Sequence, residues 1–206
     1  MSKKLIRVDS NKILEHRELE ESDKCFFFTE YTSQTGFQGS QENEDILNFK
    51  KSPIHKGTAQ YIFKERIITK FAGYISIAFG NTLNVLNDHS WVPIPPSKSR
   101  DDERYDDRLI QMLYQVNQLE RSNIVELIYT HQSHDPSHSL GARHSKDDLK
   151  SMFTIDESQL INCKKNIVLI DDVLTNGTHF KACSELILQH IPDATIKGLF
   201  IARRII

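Results

Sequence analysis

The sequence predicts an α/β fold: a twisted, mainly parallel sheet flanked by helices, with an N-terminal α+β elaboration. Three observations carry this expectation. Stretches of β-prone residues alternate with stretches of helical periodicity, the pattern of parallel strands joined by crossover helices. Ile167-Val168-Leu169-Ile170 is an unbroken aliphatic run, as expected of a strand buried on both faces. That run leads into Asp171-Asp172 and a Thr/Gly loop, Thr175 to Thr178, ahead of the next helical pattern. In open α/β sheets, ligands bind beyond the carboxyl ends of the strands, where such polar groups collect.

The elements follow in order. Lys24 to Thr32 (KCFFFTEYT) is aromatic and β-rich and predicts a strand, with Phe26-Phe27-Phe28 in the core. Ser33 to Gln41, with Gly36 and Gly39, predicts a loop, and Glu42 to Lys51 a short helix ending before Pro53. From Gly57 onward, Ala59, Phe63, Ile67, Phe71, Ile75 and Phe79 recur at helical spacing with Ile62 alongside, interrupted only by Gly73. Trp91 to Ile94 predicts a strand halted by Pro95-Pro96. The polar run Ser97 to Asp107 then leads into a helix through Leu109, Met112, Leu113 and Val116. Ile124 to Tyr129 predicts the next strand, and Thr130 to His144 a long loop of the kind that is usually functional. Ser145 is placed as the N-cap of a short helix to Phe153, with acidic residues in its first turn. A strand at Asn166 to Ile170, a helix at Thr178 to His190 and a strand at Thr195 to Ala202 complete the pattern. Residues 1–85 form the N-terminal elaboration or hood and residues 86–206 the core.

Composition narrows the function classes. The chain has 206 residues and a formal net charge of −2, so it lacks the global basic footprint of a nucleic-acid binder. Cys25, Cys163 and Cys183 are far apart with no CxxC, which indicates neither a zinc ribbon nor a disulfide framework. No apolar run reaches the length of a membrane span, and Met-Ser-Lys-Lys precedes no signal-like apolar segment. The expectation is a cytoplasmic protein without a membrane partner. There is no GxxxxGK[ST] phosphate loop.

The strand-to-helix turn carries the chemistry. A Gly/Thr loop feeding a helix offers backbone N–H groups and hydroxyls to a phosphate. The adjacent carboxylates can accept hydrogen bonds from sugar hydroxyls or hold Mg²⁺. Residues 167–179 resemble the phosphoribosyl pyrophosphate (PRPP) loop of type I phosphoribosyltransferases: a hydrophobic strand, two acids, two hydrophobics and a Ser/Thr-rich loop containing Gly. Asn176 and His179 depart from that pattern, standing where the family usually has small or hydroxyl-bearing residues. Trp91-Val-Pro-Ile-Pro-Pro-Ser-Lys98, with Arg104, Tyr105 and Asp107, looks like the corresponding segment of the ComF-like branch, Tyr105 replacing a glycine. Thr130, His138, Leu140 and Arg143 fall where the lid region of that branch shows Thr, Gln, Leu and Arg, His138 replacing the Gln, and Gly198 to Arg203 resembles its last strand. The match covers residues 90–206; Lys50-Lys51 and the following helix match loosely.

The resemblance implies a type I phosphoribosyltransferase fold and a site for PRPP with Mg²⁺. Asp171 and Asp172 would address the ribose hydroxyls, and magnesium through ribose or water. Thr175, Asn176, Gly177, Thr178 and His179 would wrap the 5′-phosphate, and Pro96, Ser97 and Lys98 the pyrophosphate. Arg104 and Arg143 would stabilise the leaving group, beneath a lid carrying His138. The implied reaction displaces pyrophosphate from PRPP by a base or other nitrogen acceptor. The alternatives are a catalytically silent PRPP or nucleotide sensor, or a ComF-like partner of nucleic-acid machinery in DNA uptake or antiphage defence. The basic cluster Lys98, Arg100, Arg104 and Arg108 is diluted by five interleaved acids. A homodimer is left open. His131, His134 and His138 have a metal-like spacing, but Asp135-Pro136 interrupts any helix aligning them, so they read as polar lid groups.

Overall fold

A computed structural model describes residues 3–33, 39–133 and 144–205. The main sheet has five strands. β1 (Ile6–Arg7) pairs antiparallel with β2 (Lys24–Thr32), and β2 runs parallel to β7 (Thr195–Ile205). β7 is also parallel to β6 (Asn166–Leu174), which pairs in parallel with the edge strand β3 (Ser90–Pro93). The order β1-β2-β7-β6-β3 thus places β6 and β7 centrally, and only β1 breaks the parallel arrangement. The expected α/β architecture with a mainly parallel sheet is present. Because β2 bonds to β7 along its length, the N-terminal segment contributes a strand to the same sheet as the core.

Helices cover both faces. On one lie α2 (Gln41–Phe49), α3 (Tyr61–Phe79), α4 (Leu83–Asn87) and α5 (Arg108–Leu113), which pack Phe49, Phe71, Leu86 and Met112 against Val168, Ile170 and Ile201. On the other, α6 (Lys146–Met152) and α7 (Thr178–His190) pack Leu149, Phe180 and Ile187 against Ile167, Leu169 and Phe200. Consecutive strand residues face opposite ways, so the aliphatic run of β6 feeds both cores alternately. Trp91 is fully buried on β3, its indole N–H donating to the Leu86 carbonyl at 2.9 Å and its ring edge-on to Phe79.

Local chemistry accounts for several boundaries. Ser40 caps α2 by accepting from the Asn43 amide, with Glu42 and Glu44 in the first turn. Ser145 and Asp148 form a reciprocal capping box on α6, as the N-cap assignment anticipates. Pro93 closes β3, and the helix expected from Gly57 begins at Tyr61.

Element ends shift, α5 stopping at Leu113 before Val116 and β7 running on to Ile205, and three larger features differ from the sequence expectation. β6 continues to Leu174 instead of stopping at Ile170, because Asp171, Val173 and Leu174 stay paired with Phe200, Ala202 and Arg203 of β7. The strand expected at Ile124 to Tyr129 touches the main sheet only through an Ile124–Trp91 bridge. It then turns away, and β4 (Ile128–Thr130) pairs antiparallel with β5 (Phe153–Ile155) in a separate two-stranded sheet. α1 (Ser10–Ile13), capped by Asp9, together with β1, α4 and β5, lies where no element was anticipated.

Candidate functional site

β3 ends at Pro93, paired with Ile170, while β6 runs on for four residues. This overhang leaves Asp171 and Asp172 beyond the edge strand, at the carboxyl end of the sheet. A cavity of about 50 Å³ opens there, lined by Pro93, Pro96, Tyr105, Arg108, Thr130 and Asp171 among others. A volume of that order admits a few water molecules or a single small polar group.

The two carboxylates point to opposite faces of the strand and meet different surroundings. Asp172 is 3% exposed. Lys50 Nζ lies 3.0 Å from one of its oxygens, and Arg108 Nε donates to the other at 3.1 Å, joined by Arg108 Nη2. Burial disfavours the charged form, but Lys50 and Arg108 outweigh it and hold the carboxyl well below the usual range. The network continues inward. Arg108 Nη1 donates to Asp106 at 2.7 Å, and Asp106 receives the fully buried Lys64 through both oxygens at 2.6 and 2.7 Å. Lys64 also donates to the Lys51 carbonyl at 2.7 Å, and the Arg108 guanidinium lies over the Phe49 ring. Burial lowers the Lys64 pKa despite Asp106.

Asp171 lies on the cavity side. Among the described residues its one hydrogen bond is local: its Oδ1 accepts the Asp172 amide at 2.7 Å. Burial, and then the neighbouring Asp172 charge, push its pKa well above the usual carboxylate range. Magnesium keeps several waters and typically needs one or two carboxylates beside substrate phosphates. Asp171 fits that role. Asp172, with both oxygens held by cations, does not offer a vacant one. No cluster of three or more His, Cys, Asp or Glu able to hold a metal occurs among the described residues.

The loop after β6 turns through Gly177, at φ +89°, which serves as the N-cap of α7. A Cβ there would lie 2.7 Å from the Leu19 side chain, so glycine is required by both conformation and space. The N-terminal segment lies against this loop. His16 Nδ1 bonds the Thr175 carbonyl, and the Glu18 amide donates to the Asn176 carbonyl at 3.0 Å. The Asn176 side-chain oxygen accepts from Arg204 at 3.3 Å. Thr178 opens α7, and the His179 ring lies 6.4 Å from that of Phe153.

The remaining expected site residues are placed as follows. Pro96 lines the cavity and accepts the Thr130 hydroxyl at 2.6 Å, while Ser97 and Lys98 are half-buried just beyond it. Arg104 is half-exposed and forms a bidentate pair with Asp102 at 2.9 Å through each nitrogen. His138 and Arg143, with His134 and Leu140, lie outside the described residues. The structure adds Asp106 and His16 to the neighbourhood. It also brings to Asp172 the side chains of Lys50, from the loosely matching segment, and Arg108, from the diluted basic cluster. No protein-family model matches the chain, and no curated protein matches it.

Proposed function

We propose that the protein binds PRPP with magnesium at the carboxyl edge of the sheet and transfers its phosphoribosyl group to a nitrogen nucleophile, on a type I phosphoribosyltransferase fold. One observation carries this reading: Asp171, with its raised pKa, faces a cavity past the end of β3 and precedes a Gly177 turn into the α7 N-terminus. A ribose over Asp171 would direct its 5′-phosphate to the 175–179 loop and its pyrophosphate to the 96–98 turn.

In the reaction, a nitrogen–C1 bond forms as the C1–oxygen bond to pyrophosphate breaks. The leaving group takes the bonding electron pair, and the proton displaced from nitrogen passes to solvent or to pyrophosphate. The carbon centre gains positive character in the transition state, so the work of the protein is positioning and electrostatics. Asp171 orients the ribose hydroxyls and is the carboxylate that would hold magnesium, which when bound would supply charge screening at the pyrophosphate. Arg104 would have to exchange Asp102 for pyrophosphate. Arg143 and His138 take the lid roles the family resemblance implies.

A second reading, a PRPP sensor without turnover, is favoured by Asp172, whose oxygens are both committed to Lys50 and Arg108. Calorimetry with PRPP and Mg²⁺ tests the site: binding is expected, and its absence in folded protein overturns both readings. Pyrophosphate release across a panel of bases then selects transfer over sensing.

A further inference from the structure

The segment Glu15 to Asp23 is strapped across the turn between β6 and α7. Ion pairs pin it at both ends: Arg203 to Glu15 at 3.1 Å, and Lys181 to Asp23 at 3.1 Å. Between these anchors, the strap reaches two consecutive carbonyls. His16, 1% exposed, bonds that of Thr175, and the Glu18 amide bonds that of Asn176. Leu19 fills the space that a side chain at residue 177 would need.

A trans peptide holds its C=O and the following N–H on opposite sides of one plane, and no peptide among the described residues is cis. Anchoring the Thr175 carbonyl therefore turns the Asn176 N–H away from the strap. Anchoring the Asn176 carbonyl does the same for the Gly177 N–H. Two successive amides directed to one side, ahead of a helix start, form an anion-binding concavity. The strap thus lies on the carbonyl side of the loop, opposite the face to which these two amides turn.

His16 is chemically suited to this task. A carbonyl only accepts, so Nδ1 carries the proton. Burial, opposed by the Thr175 bond and reinforced by Arg203 and Arg204, keeps the ring pKa low, which favours the neutral form.

Building on the PRPP reading above, we infer that His16 and the Glu18 amide are positioning residues for the 5′-phosphate: they hold the 175–177 loop with the amides of Asn176 and Gly177 turned toward it. The N-terminal strap is then a working part of the phosphate subsite, and the ligand class that depends on it is a ribose 5-phosphate ester.

The test compares ribose 5-phosphate and pyrophosphate binding to the full chain. Wild type should bind both, since each fills one end of the PRPP site. His16→Ala should weaken ribose 5-phosphate by about tenfold, the scale of a lost hydrogen bond serving a charged group, and leave pyrophosphate unchanged. His16→Asn, whose amide can reach the same carbonyl, should restore most of that affinity. Equal weakening of both ligands, or no weakening in folded His16→Ala protein, overturns the inference while leaving the PRPP reading intact. Failure of wild type to bind PRPP or either fragment overturns the underlying reading instead. If His16→Ala does not fold, amide NMR of wild type decides. Downfield shifts at Asn176 and Gly177 on titrating ribose 5-phosphate support the inference, and unmoved resonances there refute it.

Discussion

Asp171 and Asp172 are adjacent, carry the same group and belong to the same strand, yet the protein shifts their proton affinities in opposite directions. Asp172 faces the α2–α5 layer and meets two cations. Asp171 faces the cavity, where burial and its neighbour's negative charge act on it more than the cations do. The difference teaches that the pair divides into a member committed to Lys50 and Arg108 and a member left facing the cavity, and that the division comes from the pleat of β6.

The largest effect should come from Asp172→Asn, which leaves Arg108 and Lys50 short of a counter-charge and should cost about 3–5 kcal/mol. Thermal or urea unfolding will show it, and a loss no greater than that of Asp171→Asn would break the contrast. Asp171→Asn should do the reverse, stabilising the fold by about 2 kcal/mol near neutral pH while abolishing PRPP binding in calorimetry. The sign follows from linkage. The folded-state pKa of Asp171 is raised, so ionising it costs stability as pH climbs from about 4. The melting-temperature gap between Asp171→Asn and wild type should therefore widen from acid to neutral pH. For Asp172 the folded pKa is depressed, and its stabilising share is lost only as pH falls below about 4. A gap that narrows with rising pH would refute the opposite shifts of the two carboxylates. The smallest effect belongs to Arg104→Ala. The Arg104–Asp102 pair sits at the surface, where solvent screens it, and the melting temperature should not move. Weaker pyrophosphate binding in that variant would sharpen the contrast between charges that hold the fold and charges that serve the ligand.

Much of this arrangement was legible because it is local. The strand at Lys24 to Thr32, the Ser145 cap and the α7 pattern each follow from residues within one or two turns of chain. The extension of β6 past Ile170 was not legible. Two acids in succession read as the end of a buried strand, and the cations that make Asp172 tolerable there come from residues 50 and 108. Likewise, nothing near Ile124 to Tyr129 announces that its partner is Phe153 to Ile155. The turn at 175–178 was recognisable, but the strap bearing His16 arrives from about 160 residues away. Nonlocal pairing decided each of these features.

Trp91 has a practical consequence. It is the one tryptophan in the sequence, wholly enclosed on the strand that leads into the Pro95-Pro96 turn. All indole emission from the protein therefore originates at a single dry position. A blue-shifted emission is therefore expected, an internal optical probe able to follow unfolding of the edge of the sheet without any attached label.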